Sequence, residues 1–275
     1  MYKTLLVPVD ARKRSARSIE LACQIAGTFD AHVIGLFVKP SFYIPGTAYA
    51  EGFTKLLADL EANTIRELTE EAKAQFDAGV KAAKVRSPQW RTAEGDKVEV
   101  VATHAHYADL VIINQTDPEA DDASHFADSV LLALGRPVLV VPYVGEFRNF
   151  GERVLVCWNG RREAARAMTD ALPFLKRAKK VTVMSIDDAT GADKGELPLE
   201  EIAHLLARHG VSVEVVKTIS AGVDVGNVIL SRAADEGANL IVMGAYGHSR
   251  VREIVLGGAT RVVLNSMTVP VLMSH

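Results

Sequence analysis

The sequence predicts an α/β protein built from two tandem doubly wound parallel five-stranded sheets, paired as a pseudo-dimer. Three observations carry this expectation. First, the two halves repeat each other in order. Leu5-Leu6-Val7-Pro8-Val9-Asp10 matches Val154-Leu155-Val156-Cys157-Trp158-Asn159; Ala108 to Ile113 matches Ala238 to Met243; Pro137-Val138-Leu139-Val140 matches Pro270-Val271-Leu272-Met273. Second, short β-branched runs alternate with segments of helical periodicity, the pattern of a parallel sheet covered on both faces. Third, the closing runs Val138 to Val141 and Val269 to Met273 are apolar. Alone they would be exposed sheet edges, and pairing them edge to edge would bury both.

The elements of the second half read in order. Val154 to Asn159 is the first strand. Ala164, Ala167, Met168, Ala171, Leu172 and Leu175 recur at the spacing of one helix face, with Pro173 expected to kink that helix. Val181 to Ile186 reads as a buried second strand. Leu199, Ile202, Ala203 and Leu206 mark a short helix stopped at Gly210, and Val211 to Val216 alternates as the third strand. Asp224 is placed to cap a helix carrying Val225, Val228, Ile229 and Ala233 and ending near Gly237. Ala238 to Met243 and Val269 to Met273 are the fourth and fifth strands. The first half follows the same plan, with a longer second helix built on Phe53, Leu56, Leu57, Leu60, Leu68, Ala72 and Phe76. The seam lies in Tyr143 to Gly151, which gives domains at 1–143 and 152–275.

At 275 residues, 48% hydrophobic and 24% charged, the chain is long enough for two cores. A net charge of -3 offers no long-range attraction to nucleic acid or an anionic membrane. No apolar run nears the roughly 20 residues needed to span a bilayer, and the first ten residues lack a signal-peptide plan. A cytoplasmic location is expected, with no nucleic-acid and no membrane partner. Cys23 and Cys157 are too few for a disulfide framework or a four-thiolate zinc site, and read as small buried hydrophobes.

In doubly wound sheets ligands sit beyond the carboxyl ends of the strands, where the winding reverses, so the loops after the first and fourth strands matter most. The fourth strand of the second half runs into Gly244-Ala245-Tyr246-Gly247-His248-Ser249-Arg250 and on to Gly257-Gly258-Ala259-Thr260. Glycines there allow close backbone approach to an anion, and Gly257-Gly258 would open a helix whose free N–H groups favour phosphate. The bland alternative is a glycine-rich connection between a strand and a helix. The spacing Gly244-x2-Gly247-x9-Gly257 resembles the nucleotide loop of the universal stress protein family, G-x2-G-x9-G followed by Ser or Thr. With the strand order and the closing apolar runs, the resemblance covers both halves and makes the chain similar to a tandem member. It implies a Rossmann-like fold of the adenine nucleotide alpha hydrolase-like class.

By that resemblance Gly244, Gly247, Gly257, Gly258 and Thr260 contact phosphate or ribose; apart from it, His248, Arg250 and Arg252 sit in the loop where they could meet phosphates, a solvated basic loop being the equal alternative. Cys157, Trp158, Asn159 and Ile186 line the adenine. The implied ligand is ATP or another adenine nucleotide, with Mg2+ as its companion ion. Two positions depart from the family pattern. Gly258 stands where Ser or Thr is usual, and Asn159 where Asp is usual. In the first half, alignment puts Asn114 and Asp117 at the first two loop glycines and Ser124 and His125 at the last two, with Asp121 and Asp122 adding charge. Asp10 survives at the first-strand end, but the cradle does not, so no nucleotide is expected there.

Weaker candidates are His104 and His106, two apart and so not on one helix face; solvated or capping roles suit them better than a metal site. His204, His209 and His275 stand alone. The sequence holds no G-x-S-x-G, H-E-x-x-H or Walker lysine motif. Three functions stay open: a nucleotide-binding stress-response or signalling module acting through its C-terminal half; a slow ATPase or related transferase, with Glu253 the one acid near the loop; and a nucleotide-free scaffold for another small ligand or a protein. The expected assembly is an intrachain pseudo-dimer, and the sequence leaves a homodimer of whole chains undecided.

Overall fold

The structure is a computed structural model and describes residues 1–11, 15–40, 51–116, 126–187, 199–246 and 258–275. It divides into two compact units, Tyr2–Ile112 and Ile113–His275, the second counting Met1. The smaller unit runs β1 (Thr4–Pro8), α1 (Ser15–Phe29), β2 (His32–Lys39), α2 (Glu51–Ala82), β3 (Pro88–Glu94), α3 (Lys97–Ala105) and the start of β4 (Leu110–Asn114). Its strands lie in the order β3-β2-β1-β4, all parallel. Leu6 is registered between Ile34 and Val111, and all three are buried. Gly35 is a glycine because the Phe76 ring of α2 lies on it: a Cβ there would stand 2.7 Å from the ring. The sequence placed Leu56 and Leu60 on the buried face of α2, yet each is 53% exposed, while Ala72 and Phe76 are core. Among the described side chains of α2, a 32-residue helix, the apolar residues of the later turns are the buried ones.

The larger unit holds the end of β4, α4 (Phe126–Ala133), β5 (Val138–Val141), β6 (Arg153–Trp158), α5 (Arg162–Leu175), β7 (Lys180–Asp187), α6 (Leu199–Arg208), β8 (Glu214–Ile219), α7 (Val225–Asp235), β9 (Leu240–Gly244), α8 (Ala259–Ser266) and β10 (Val271–Ser274). The strand order is β5-β10-β9-β6-β7-β8. From β6 to β10 every pairing is parallel, a doubly wound five-stranded sheet whose winding reverses between β6 and β9. β5 adds antiparallel to β10, with Leu139 opposite Leu272. That pairing explains why the compact unit begins ahead of the linker: the last strand of the first repeat is hydrogen-bonded to the last strand of the second. Buried Gln115 reinforces the join. Its amide nitrogen donates to the carbonyls of Leu264 and Asn265 at 2.8 and 3.2 Å, and its Oε1 accepts the Tyr143 N–H at 3.2 Å.

Local signals set most boundaries. Asp224 caps α7, its Oδ1 accepting the Gly226 N–H at 2.7 Å. Gly210, at φ +77°, ends the α6 region, and the Val211 N–H returns to the Leu206 carbonyl. That return corrects the expected third strand. Val211 belongs to the helix end, and pairing with β7 starts only at Glu214. Pro173 stands in the last turn of α5, which stops two residues later. There the missing N–H disturbs only the helix terminus.

Candidate functional site

The strands of the second repeat bring four ends to one edge of the sheet. Val156 pairs with Val242, Trp158 with Ser185, and Ser274 with Gly244. Cys157, Trp158, Ile186 and Gly244 therefore finish at the carboxyl edge, where the winding reverses. Cys157, Trp158 and Ile186 are half-buried. Burial pushes the Cys157 thiol up to about 12, so it is an unreactive apolar wall at neutral pH. Asn159 is exposed, and its Oδ1 accepts the Arg161 N–H at 3.2 Å ahead of Gly160 at φ +72°. The side chain thus builds the turn that launches α5, while its carbonyl keeps a second lone pair for a ligand.

Gly244 serves the scaffold. A Cβ there would come within 2.6 Å of the Ala164 nitrogen and 2.7 Å of the Glu163 carbonyl carbon. The bare glycine lets the end of β9 meet the start of α5. Glu163, which the sequence reading missed, lies at this junction and is 4% exposed. Its Oε1 accepts Arg162 Nε–H at 2.5 Å. Burial would raise its carboxyl, but the Arg162 hydrogen bond, its own backbone N–H and the charges of Arg162 and His275 hold it below the usual carboxylate range. The available signal was an acid in the first turn of a helix.

The next residues are tied down one by one. The Ala245 N–H donates to the Ser274 carbonyl at 2.9 Å, and His275 Nδ1–H donates to the Ala245 carbonyl at 2.9 Å, giving His275 a role the sequence did not reveal. Tyr246 follows at φ +54°. Gly258 is the N-cap of α8 and provides no side-chain cap hydrogen bond; in the first turn the Arg261 N–H donates to the Gly258 carbonyl at 2.9 Å. α7 holds this helix end in place: a Cβ on Gly226 would be 2.6 Å from Val262 Cβ and 2.9 Å from the Ala259 carbonyl oxygen. Thr260 is buried, and its Oγ1 accepts the Tyr246 N–H at 3.2 Å. Gly247, His248 and Gly257 lie outside the described residues, as do Glu253 and, in the first half, Asp117, Asp121, Asp122, Ser124 and His125. Asn114 ends β4 half-buried. Asp10 exchanges hydrogen bonds with Ser15, its N–H donating to Ser15 Oγ at 3.0 Å and its Oδ1 accepting from it at 2.7 Å; this closes the β1–α1 turn.

Elsewhere, His104 Nδ1 lies 3.3 Å from Arg91 Nη1, and burial together with the Arg91 charge lowers its pKa, so the neutral ring accepts from the guanidinium. Among the described residues no group of His, Cys, Asp or Glu could hold a metal ion. An open cavity of about 500 Å3 lies at the amino ends of β9 and β10, lined by Phe147, Phe150, Asn239 and Val269 among others. Its charged residues Glu146 and Arg148 pair with each other at 3.0 Å, so charge does not converge on a ligand there. The carboxyl edge, with the Gly258-capped helix end and buried Thr260, is the better candidate.

A tandem α/β module with a candidate site at the switch point of its second repeat is the class these features define. Comparison with known proteins gives that class its family. The model of the universal stress protein family matches residues 1–142 and again 151–275, and the chain belongs to that family as a tandem-domain member. It is similar to the universal stress protein Slr1230 of Synechocystis, 24% identical over 240 residues that cover 82% of this chain and 80% of the relative. In fold it is similar to a universal stress protein from Archaeoglobus fulgidus, with a TM-score of 0.71 at 16% identity over 98% of this chain and 95% of that one. A functionally unknown protein of Pseudomonas aeruginosa, PA1789, shares the fold at a TM-score of 0.62 and 16% identity, over 99% and 92% of the two chains. Among the described residues no helix is long and apolar enough to cross a membrane.

Proposed function

We propose that the chain is a cytoplasmic stress-response or signalling module whose C-terminal half binds an adenine nucleotide, ATP or AMP. One observation carries the reading: the amino end of α8, capped by Gly258 without a side-chain hydrogen bond, lies with buried Thr260 beside the end of β9. A helix amino end offers N–H donors and a favourable dipole to phosphate oxygens. Thr260 adds a hydroxyl, Trp158 an aromatic face for the base, and Asn159 an amide acceptor at the same edge. Mg2+ would enter with the phosphates. The first half serves as structural partner, and the β5–β10 pairing supports a division of labour within an intrachain pseudo-dimer.

Purified protein, denatured and analysed by mass spectrometry and nucleotide chromatography, tests the reading. Release of an adenine nucleotide, or its binding by the emptied chain, is expected. Absence of both at millimolar nucleotide overturns it. Thr260→Val, which keeps the shape and removes the hydroxyl, is expected to weaken binding about two- to tenfold by the worth of one hydrogen bond; unchanged affinity would remove Thr260 from the site.

A further inference from the structure

The loop that leaves β9 is held from an unexpected direction. Tyr246 has a left-handed backbone at φ +54°, a conformation bulky side chains rarely adopt, and which persists only where the surroundings enforce it. Contacts to two helices enforce it. The Tyr246 N–H donates to Thr260 Oγ1 in the first turn of α8. The Tyr246 phenol donates to Asp128 Oδ1 in the first turn of α4, a helix of the first repeat. Ala245, the residue before, is fixed by Ser274 and His275, so the chain is pinned as it enters the strained residue.

We propose that Tyr246 is a positioning residue for the ligand edge and that Asp128 is the acceptor holding it, so that the first repeat sets the geometry of the second repeat's site. The proposal rests on the nucleotide reading above. Its chemistry is that of hydrogen-bond direction. Because Thr260 Oγ1 accepts from Tyr246, the hydroxyl's own hydrogen remains for another acceptor, as an incoming phosphate oxygen requires. Without the Asp128 anchor, the strained backbone at Tyr246 relaxes, its N–H leaves Thr260, and the hydroxyl loses that orientation. A first repeat whose loop has lost its glycines thus still contributes a side chain on which the other site depends.

Calorimetric titration of the full chain with ATP tests this in wild type, Tyr246→Phe, Asp128→Ala, Asp128→Asn and the Tyr246→Phe/Asp128→Ala pair, with thermal unfolding recorded for each. Tyr246→Phe and Asp128→Ala are each expected to weaken ATP binding about five- to tenfold, and the pair no more than either alone, the signature of one shared interaction. Asp128→Asn, which keeps an acceptor oxygen, is expected to restore most of the affinity; a purely structural role would move unfolding temperature without this rescue. Wild-type affinity in Tyr246→Phe, or additive losses in the pair, overturns the proposal while leaving the nucleotide reading intact. Failure of the wild-type chain to bind ATP or AMP overturns the nucleotide reading and this proposal with it.

Discussion

At the scale of the residue, Gly244 shows how a loop glycine can answer to the scaffold before it answers to a ligand. The motif offers it to ribose or phosphate, but its surroundings leave no room for a Cβ between β9 and the start of α5. Gly244→Ala is therefore expected to destabilise the chain by about 1–3 kcal/mol, since backbone rather than a flexible side-chain tip must give way. Gly27→Ala, on the exposed side of α1 with nothing within 4 Å of the new Cβ, is expected to be stabilising by up to about 1 kcal/mol. Urea titration of both variants measures the contrast, and equal effects would contradict it. Glu163 makes a second point. Its folded pKa lies below the ordinary 4.5, so the stability it contributes is complete above that value and is lost as pH falls through the folded value. The stability gap between wild type and Glu163→Gln should therefore shrink on acidification from pH 7 to 3, and a constant gap would exclude this ionisation from the balance. Neither role was legible beforehand. Both depend on which segments meet across the sheet, and a linear motif does not record that.

At the scale of the element, local chemistry was readable where a residue acts on its own chain. Asp224 caps α7 and Gly210 closes the α6 end as their types and spacing imply. Reading failed where a neighbour decides. Val211 alternates with its successors like a strand residue, yet the strand begins only where β7 offers partners, at Glu214. Leu56 and Leu60 carry a helical period but meet nothing that buries them. The apolar closing runs are the opposite case, since their lack of any polar face implied a partner on the edge. Leu139, fully buried opposite Leu272, is expected to cost about 2–5 kcal/mol when truncated to Ala. Ile219, 66% exposed at the end of edge strand β8, should cost no more than about 0.5 kcal/mol. Comparable losses in the two variants would mean that the β5–β10 pairing contributes little.

At the scale of the whole molecule, the repeat and the winding were plain in the sequence because both are periodic, and the family comparison covers each half. Compactness follows another line: the larger unit takes β5 from the first repeat, because strand pairing and the Gln115 bonds tie it to β10 and α8. The candidate site was legible only as a loop and two strand ends. Its buried carboxylate, its strained tyrosine and the aspartate from the first repeat became visible when the fold brought them together. In the proposed function the second repeat alone holds the nucleotide. By sequence alignment Asn114, Asp117, Ser124 and His125 stand at the loop-glycine positions of the first repeat, where an acidic side chain would repel phosphate. Equilibrium dialysis of the full chain against radiolabelled ATP tests this most directly, with Gly257→Val and Ser124→Ala run alongside. The account predicts one ATP per chain, lost in Gly257→Val and unchanged in Ser124→Ala. Two equivalent sites per chain, or a single site that survives Gly257→Val, would contradict it.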